Sequence, residues 1–147
     1  EKTEGVTMKI VIIDGQGGRM GRSVIEQLKT TYPDQELYAI GTNSIATSAM
    51  LKAGATYGAT GENPAIVNSQ DADIIIGPIG IVMANSLLGE ITPAMAAAIG
   101  SCRAYKILIP VNRCNHYIVG CQNTTLSDYI SMVCEEVGKE VKSRCEQ

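Results

Sequence analysis

Residues 9–22 read KIVIIDGQGGRMGR, from Lys9 to Arg22. A β-branched run without alternation, Ile10-Val11-Ile12-Ile13, reads as a strand buried on both faces. Glycines follow at once. From Arg19 to Thr31 the apolar residues Met20, Val24, Ile25 and Leu28 then fall at helical spacing. A strand feeding a helix through glycines points backbone N–H groups outward at the positive end of the helix dipole. Gly15, Gly18 and Gly21 stand three apart and Gly17 adds a further flexible position. Glycine permits the tight turn and a close approach to a phosphate. The stretch Gly15-Gln16-Gly17-Gly18-Arg19-Met20-Gly21 is therefore a candidate phosphate-binding turn. Its spacing is G-x-G-G-x-x-G, and it lacks the Gly-Lys-Ser/Thr ending of a P-loop, which argues against an ATPase or GTPase. The competing reading is that these glycines only make a tight strand–helix connection.

Outward from the turn, Pro33-Asp34 ends the first helix. Residues 37–40 read as a second strand with Gly41-Thr42-Asn43-Ser44 as its exit loop. Residues 45–52 are helical and closed by Gly54. Residues 55–61 suggest a brief edge strand, and Asn63-Pro64 starts a helical turn. Residues 73–76 form another buried strand, leaving through Gly77-Pro78-Ile79-Gly80. Two short helices are expected next, over 81–88 and 94–99, the second capped by Thr92 with Pro93 behind it and stopped by Gly100. Strands are expected at 106–111 and 116–121. Thr124 or Thr125 then caps a final helix whose stripe is Leu126, Tyr129, Ile130, Val133, Val137 and Val141. Strands alternating with helices predict the α/β class: a single Rossmann-like domain over 8–147, three-layered, with a mostly parallel sheet. Residues 1–7 are polar and read as an upstream extension or expression remnant.

The 147 residues suffice for one core. With no Trp and no Phe, that core rests on Ile, Val, Leu, Ala and Met. A net charge of −3 gives no footprint for nucleic acid or an anionic membrane. The apolar stretch 77–99 is broken by Pro78, Asn85, Gly89, Glu90 and Pro93, so it reads as buried loop and helix rather than a membrane span. No secretory signal is visible, and five irregularly spaced Cys read as reduced thiols. The expected location is the cytoplasm.

Gly18-Arg19-Met20-Gly21-Arg22 after a strand resembles the nucleotide-binding turn of dihydrodipicolinate reductase, an NAD(P)H enzyme. That resemblance implies cofactor contacts from Gly15, Gly18, Arg19, Met20 and Gly21. It covers this turn alone. The reductases also use adjacent histidines and a second domain, whereas this chain has one histidine, His116. The catalytic assignment does not carry over. Across its length the chain is similar to a family of short bacterial proteins of unknown function. The shared stretches are IDGQGG, GTNSIATSAMLKAGA, GATGEN, GPIGIVMANSLLGEITPAMAAAI and KILIPV. This resemblance implies a one-domain Rossmann-like fold and brings no activity.

In an open parallel sheet, ligands lie outside the carboxyl ends of the strands. The Gly turn, Gly41–Ser44 and Gly77–Gly80 all leave such ends. NAD sites place an acid after the second strand, about 20 residues past the turn. Gly41, Thr42, Asn43 and Ser44 offer none, while Arg19 and Arg22 stand nearby, so the sequence favours NADP over NAD. The missing acid also counts against an S-adenosylmethionine enzyme. Asn43 or Ser44 serves equally as a helix cap. Gly77, Pro78 and Ile79 would face the nicotinamide, or simply turn the chain.

Candidates for chemistry are sparse. Neither Tyr-x-x-x-Lys nor Gly-x-Ser-x-Gly occurs. Cys114, His116 and Cys121, with Cys102, could in principle hold Zn²⁺, but their spacing fits no familiar site, and no metal is expected. Asp14, Glu62 and Glu90 would each suit a general base or substrate anchor if burial raised its pKa, but they read first as solvated or capping carboxylates. Three functions stay open: a small NAD(P) oxidoreductase working as a homo-oligomer through the Ala- and Met-rich helices, a non-catalytic nucleotide or metabolite sensor, and a ligand-free scaffold.

Overall fold

The computed structural model describes residues 7–111, 113 and 115–147. Its strands are β1 (Ile10–Asp14), β2 (Leu37–Gly41), β3 (Tyr57–Thr60), β4 (Ile74–Pro78) and β5 (Tyr105–Ile109). Its α-helices are α1 (Arg19–Thr31), α2 (Ser44–Lys52), α3 (Glu62–Gln70), α4 (Pro93–Ser101) and α5 (Leu126–Cys145). All strand pairs are parallel, in the order β3-β2-β1-β4-β5. The chain is a Rossmann-like α/β domain.

Alternation along β1 builds two cores, because successive side chains leave opposite faces of a strand. Ile10 and Ile12 meet Val24, Ile25 and Leu28 of α1 and Ile130, Val133 and Val137 of α5. Val11 and Ile13 meet Ala65 of α3 and Met95 and Ile99 of α4. The α5 stripe lies as its spacing predicts, except that Leu126 is exposed. Three caps also lie where the residue types place them. Asn43 accepts from the Ala46 N–H, Thr92 from Met95 and Thr125 from Asp128.

Three expectations are corrected. Residues 81–88 do not form a helix. A 3₁₀ turn, Ile79–Val82, passes into a loop in which Asn85, Leu87, Leu88 and Gly89 all have positive φ. No α-helix accommodates such angles. The loop is closed by Asn85 N–H donating to the Ile91 carbonyl at 2.7 Å and by the Ser86 hydroxyl donating to the Gly80 carbonyl. Residues 116–121 form no strand. Asn115 and Gly120 have positive φ, and Tyr117 and Val119 stand 81% and 86% exposed. Without an apolar face or partner strand to meet, the β-forming residues Tyr117, Ile118 and Val119 do not make a strand. Finally, β4 runs on through Gly77 and Pro78, paired with Leu108 and Ile109 of β5, so these two residues are strand and not loop. A side chain at Gly77 would strike the Ile13 backbone, which is why glycine permits β4 to continue there.

Candidate functional site

Parallel pairing brings Asp14 of β1 level with Gly41 of β2, so both strands leave the sheet together. The Thr42 N–H donates to the Asp14 carbonyl at 3.0 Å and joins the two exits. Asp14 itself is 6% exposed. Its carboxylate accepts the Gly15 N–H at 2.8 Å and the Gly21 N–H at 2.7 Å. Gly18, the residue before α1, has no side chain to cap the helix. The buried Asp14 takes that role from beneath, where the helix dipole favours an anion. Burial pushes the Asp14 carboxyl above its ordinary value, and donation from Gly21 and Gly15 offsets part of that rise. The negative charge of Glu90 adds to it.

Glu90, one of the three carboxylates singled out in the sequence, is neither simply solvated nor a helix cap: it stands at the exit of β2. Its Oε2 accepts the Gln16 N–H at 2.7 Å and the Thr42 hydroxyl at 2.7 Å. Its Oε1 accepts the Asn43 side-chain amide at 3.0 Å. The same amide donates to the Gln16 carbonyl at 2.9 Å. Burial alone would raise the Glu90 carboxyl, but Thr42, Gln16 and Asn43 together hold it below its ordinary value. An acid therefore does stand at the exit of β2, delivered from the loop after β4. The acid-free environment expected there is not what the fold builds. No local signal marks Glu90, because its partners lie 47 to 74 residues away.

The glycines of the turn divide by what surrounds them. A Cβ on Gly15 would lie 2.5 Å from both Glu90 Oε2 and Thr42 Oγ1, one on Gly18 would lie 2.7 Å from the Ala46 backbone, and one on Gly21 would lie 2.5 Å from Met50 Sδ. Packing therefore accounts for all three. Gly17 is different: a Cβ there meets nothing nearer than Arg19 Cγ at 3.8 Å. Gln16, Gly17 and Arg19 form the exposed tip. Among the described residues, the N–H groups of Gly17 and Arg19 have no hydrogen-bond partner. Met20 faces inward and belongs to the core.

A cavity of about 310 Å³ lies over the turn, walled by Asp14–Met20 with Leu87, Val111 and Leu126. Gly41, Thr42, Asn43 and Ser44 lie beside it and do not line it, and neither do Gly77, Pro78 and Ile79. Gly77 and Pro78 are buried in β4. Ser44 instead lines a groove of about 720 Å³ between α1 and α2, with Arg22, Ser48 and Lys52. Arg22 Nε there is paired with Glu26 at 2.9 Å.

The remaining candidates are dispersed. Glu62 accepts the Thr92 hydroxyl at 2.7 Å across α3 and α4. His116 Nδ1 is 2.9 Å from the Arg113 carbonyl, and Cys102 donates to the Ile99 carbonyl. Cys114 lies outside the described residues. Among the described residues no three His, Cys, Asp or Glu are grouped to hold a metal, and no helix is long and apolar enough to cross a membrane.

A parallel sheet with a glycine-rich turn at its carboxyl edge defines a Rossmann-like domain with its candidate site at that edge. The chain belongs to the DUF3842 family, a domain of unknown function, which matches residues 9–142. No curated protein and no solved structure matches the chain.

Proposed function

We propose that this chain binds a nicotinamide dinucleotide, NADP or NAD, with a phosphate on the tip of the Gly turn. The supporting observation is the pair of exposed, unpartnered N–H groups of Gly17 and Arg19, which edge a cavity at the carboxyl end of a parallel sheet. Backbone N–H groups at a helix start are suited to an anion, and the Arg19 side chain adds a cation. Asp14 and Glu90 already occupy the N–H groups of Gly15, Gln16 and Gly21. The phosphate would therefore rest on Gly17 and Arg19 alone, and affinity should be modest and salt-sensitive.

A sensing role is the form of this function that the site favours. Both Asp14 oxygens are held by N–H groups, and the other side chains over the turn are apolar apart from Gln16 and Arg19. Reductase chemistry would need an acid–base group from a second copy of the chain. Of the surfaces expected to pair copies, α4 buries Met95, Ala96 and Ile99 in its own core and leaves Ala94 and Ala97 outside.

Calorimetric titration with NADH and NADPH tests the proposal. Saturable binding to the wild-type chain, weakened about tenfold or more in Gly17→Ala, is expected. No binding of either nucleotide, or unchanged affinity in a folded Gly17→Ala, would refute it. Turnover of small carbonyl or imine substrates would replace the sensor with a reductase.

A further inference from the structure

We infer that Glu90 sets the specificity of this site, admitting a ribose with free hydroxyls and rejecting one that carries a 2′-phosphate; the inference rests on the nucleotide reading above. A nucleotide phosphate on Gly17 and Arg19 places the rest of the ligand along the sheet edge, where the β2 exit is adjacent. Of the side chains at this exit, Thr42 and Asn43 have their donors already committed, while Ser44 lies in the neighbouring groove with Arg22 and Lys52. The Thr42 hydroxyl donates to Glu90 at 2.7 Å, and the Asn43 amide donates to Glu90 and to the Gln16 carbonyl. The Asn43 side-chain oxygen is taken by the Ala46 N–H at 2.9 Å. A second phosphate would meet a full negative charge there and no spare side-chain donor from Thr42 or Asn43. A sugar hydroxyl would meet an acceptor, because Glu90 Oε1 holds a single protein donor. A carboxylate oxygen has room for more than one.

The charge is also fixed in place. Glu90 is bonded to both strand exits, and its loop is folded back on itself by the bonds of Asn85, Ser86 and Ile91. Leu87 anchors the loop over Gly15 at 4% exposure. Swinging the carboxylate away costs its bonds to Gln16, Thr42 and Asn43 together. Gly15 is the complementary feature: only the missing Cβ lets Glu90 and Thr42 pass so close.

The test compares NADH and NADPH binding by calorimetry for the full chain, Glu90→Gln and Glu90→Asp, with thermal unfolding as the check that each is folded. The wild-type chain should bind NADH about tenfold or more tightly than NADPH. Glu90→Gln should shrink that ratio about tenfold, mostly by gaining affinity for NADPH, whereas Glu90→Asp keeps the charge and should keep the preference. Equal binding of the two by the wild-type chain, or an unchanged ratio in a folded Glu90→Gln, overturns the role of Glu90 while leaving the nucleotide site standing. Tighter binding of NADPH does the same and directs the extra phosphate to the groove of Arg22, Ser44 and Lys52. Failure to bind either nucleotide overturns both.

Discussion

At the residue scale, two carboxylates at one turn are pushed in opposite directions. Asp14 lies above its ordinary value because it is buried. It therefore holds its proton more tightly folded than unfolded, and its contribution to stability declines as pH rises above the usual aspartate range. Glu90 lies below its ordinary value through its hydrogen bonds. Its contribution is present above the usual glutamate range and is lost as pH falls through the lowered value. Glu90→Gln should cost about 1–3 kcal/mol at neutral pH, because charge-assisted bonds are replaced by weaker ones. The cost should shrink as pH falls, and urea unfolding across pH 3–7, roughly the window in which carboxylates titrate, measures it. A cost independent of pH would mean that the carboxylate charge does not act on stability. The glycines give a paired prediction. Gly15→Ala forces Glu90 and Thr42 apart and should destabilise by about 1–3 kcal/mol, whereas Gly17→Ala has room and should change stability by less than about 0.5 kcal/mol.

At the scale of elements, legibility followed range. β1, α1 and the three caps were readable because neighbours in sequence determine them: a β-branched run, helical spacing, and Asn or Thr before a helix. The long α5 was readable because Tyr129, Ile130, Val133, Val137 and Val141 repeat over about three and a half turns of chain. The loop 83–91 was not, because Ile81, Val82, Leu87 and Leu88 have apolar character without helical consequence. Its shape comes from Leu87 packing over Gly15 and Glu90 reaching Gln16, Thr42 and Asn43, all distant in sequence. Residues 116–121 misled for the opposite reason: the β-forming residues Tyr117, Ile118 and Val119 were present, and the face to bury them was not. Leu88 sits in this loop with φ 56° and 96% exposure. A left-handed leucine this exposed is a strained residue that glycine relieves. Leu88→Gly should raise the unfolding free energy by about 1 kcal/mol, read from the urea midpoint. A loss instead would mean that Leu88 is held by contacts. In α5, Val137→Ala opens the fully buried core beside β1 and should cost about 2 kcal/mol on the same measurement.

At the scale of the whole molecule, the parallel sheet does for function what no single motif does. Order β3-β2-β1-β4-β5 puts the exits of β1 and β2 side by side, and the loop after β4 closes over them with Leu87 and Glu90. The Gly turn was visible in the sequence, but what fills it was not. Three of its glycines answer to protein atoms, and at the exposed tip the N–H groups left without a partner among the described residues are those of Gly17 and Arg19. The most direct measurement is an amide-resolved NMR titration of ¹⁵N-labelled chain with NADH. The Gly17 and Arg19 resonances should move first and saturate together, with Thr42 and Asn43 following through Glu90. Saturable shifts confined to another surface, or none at these two amides, would contradict a nucleotide site at the turn.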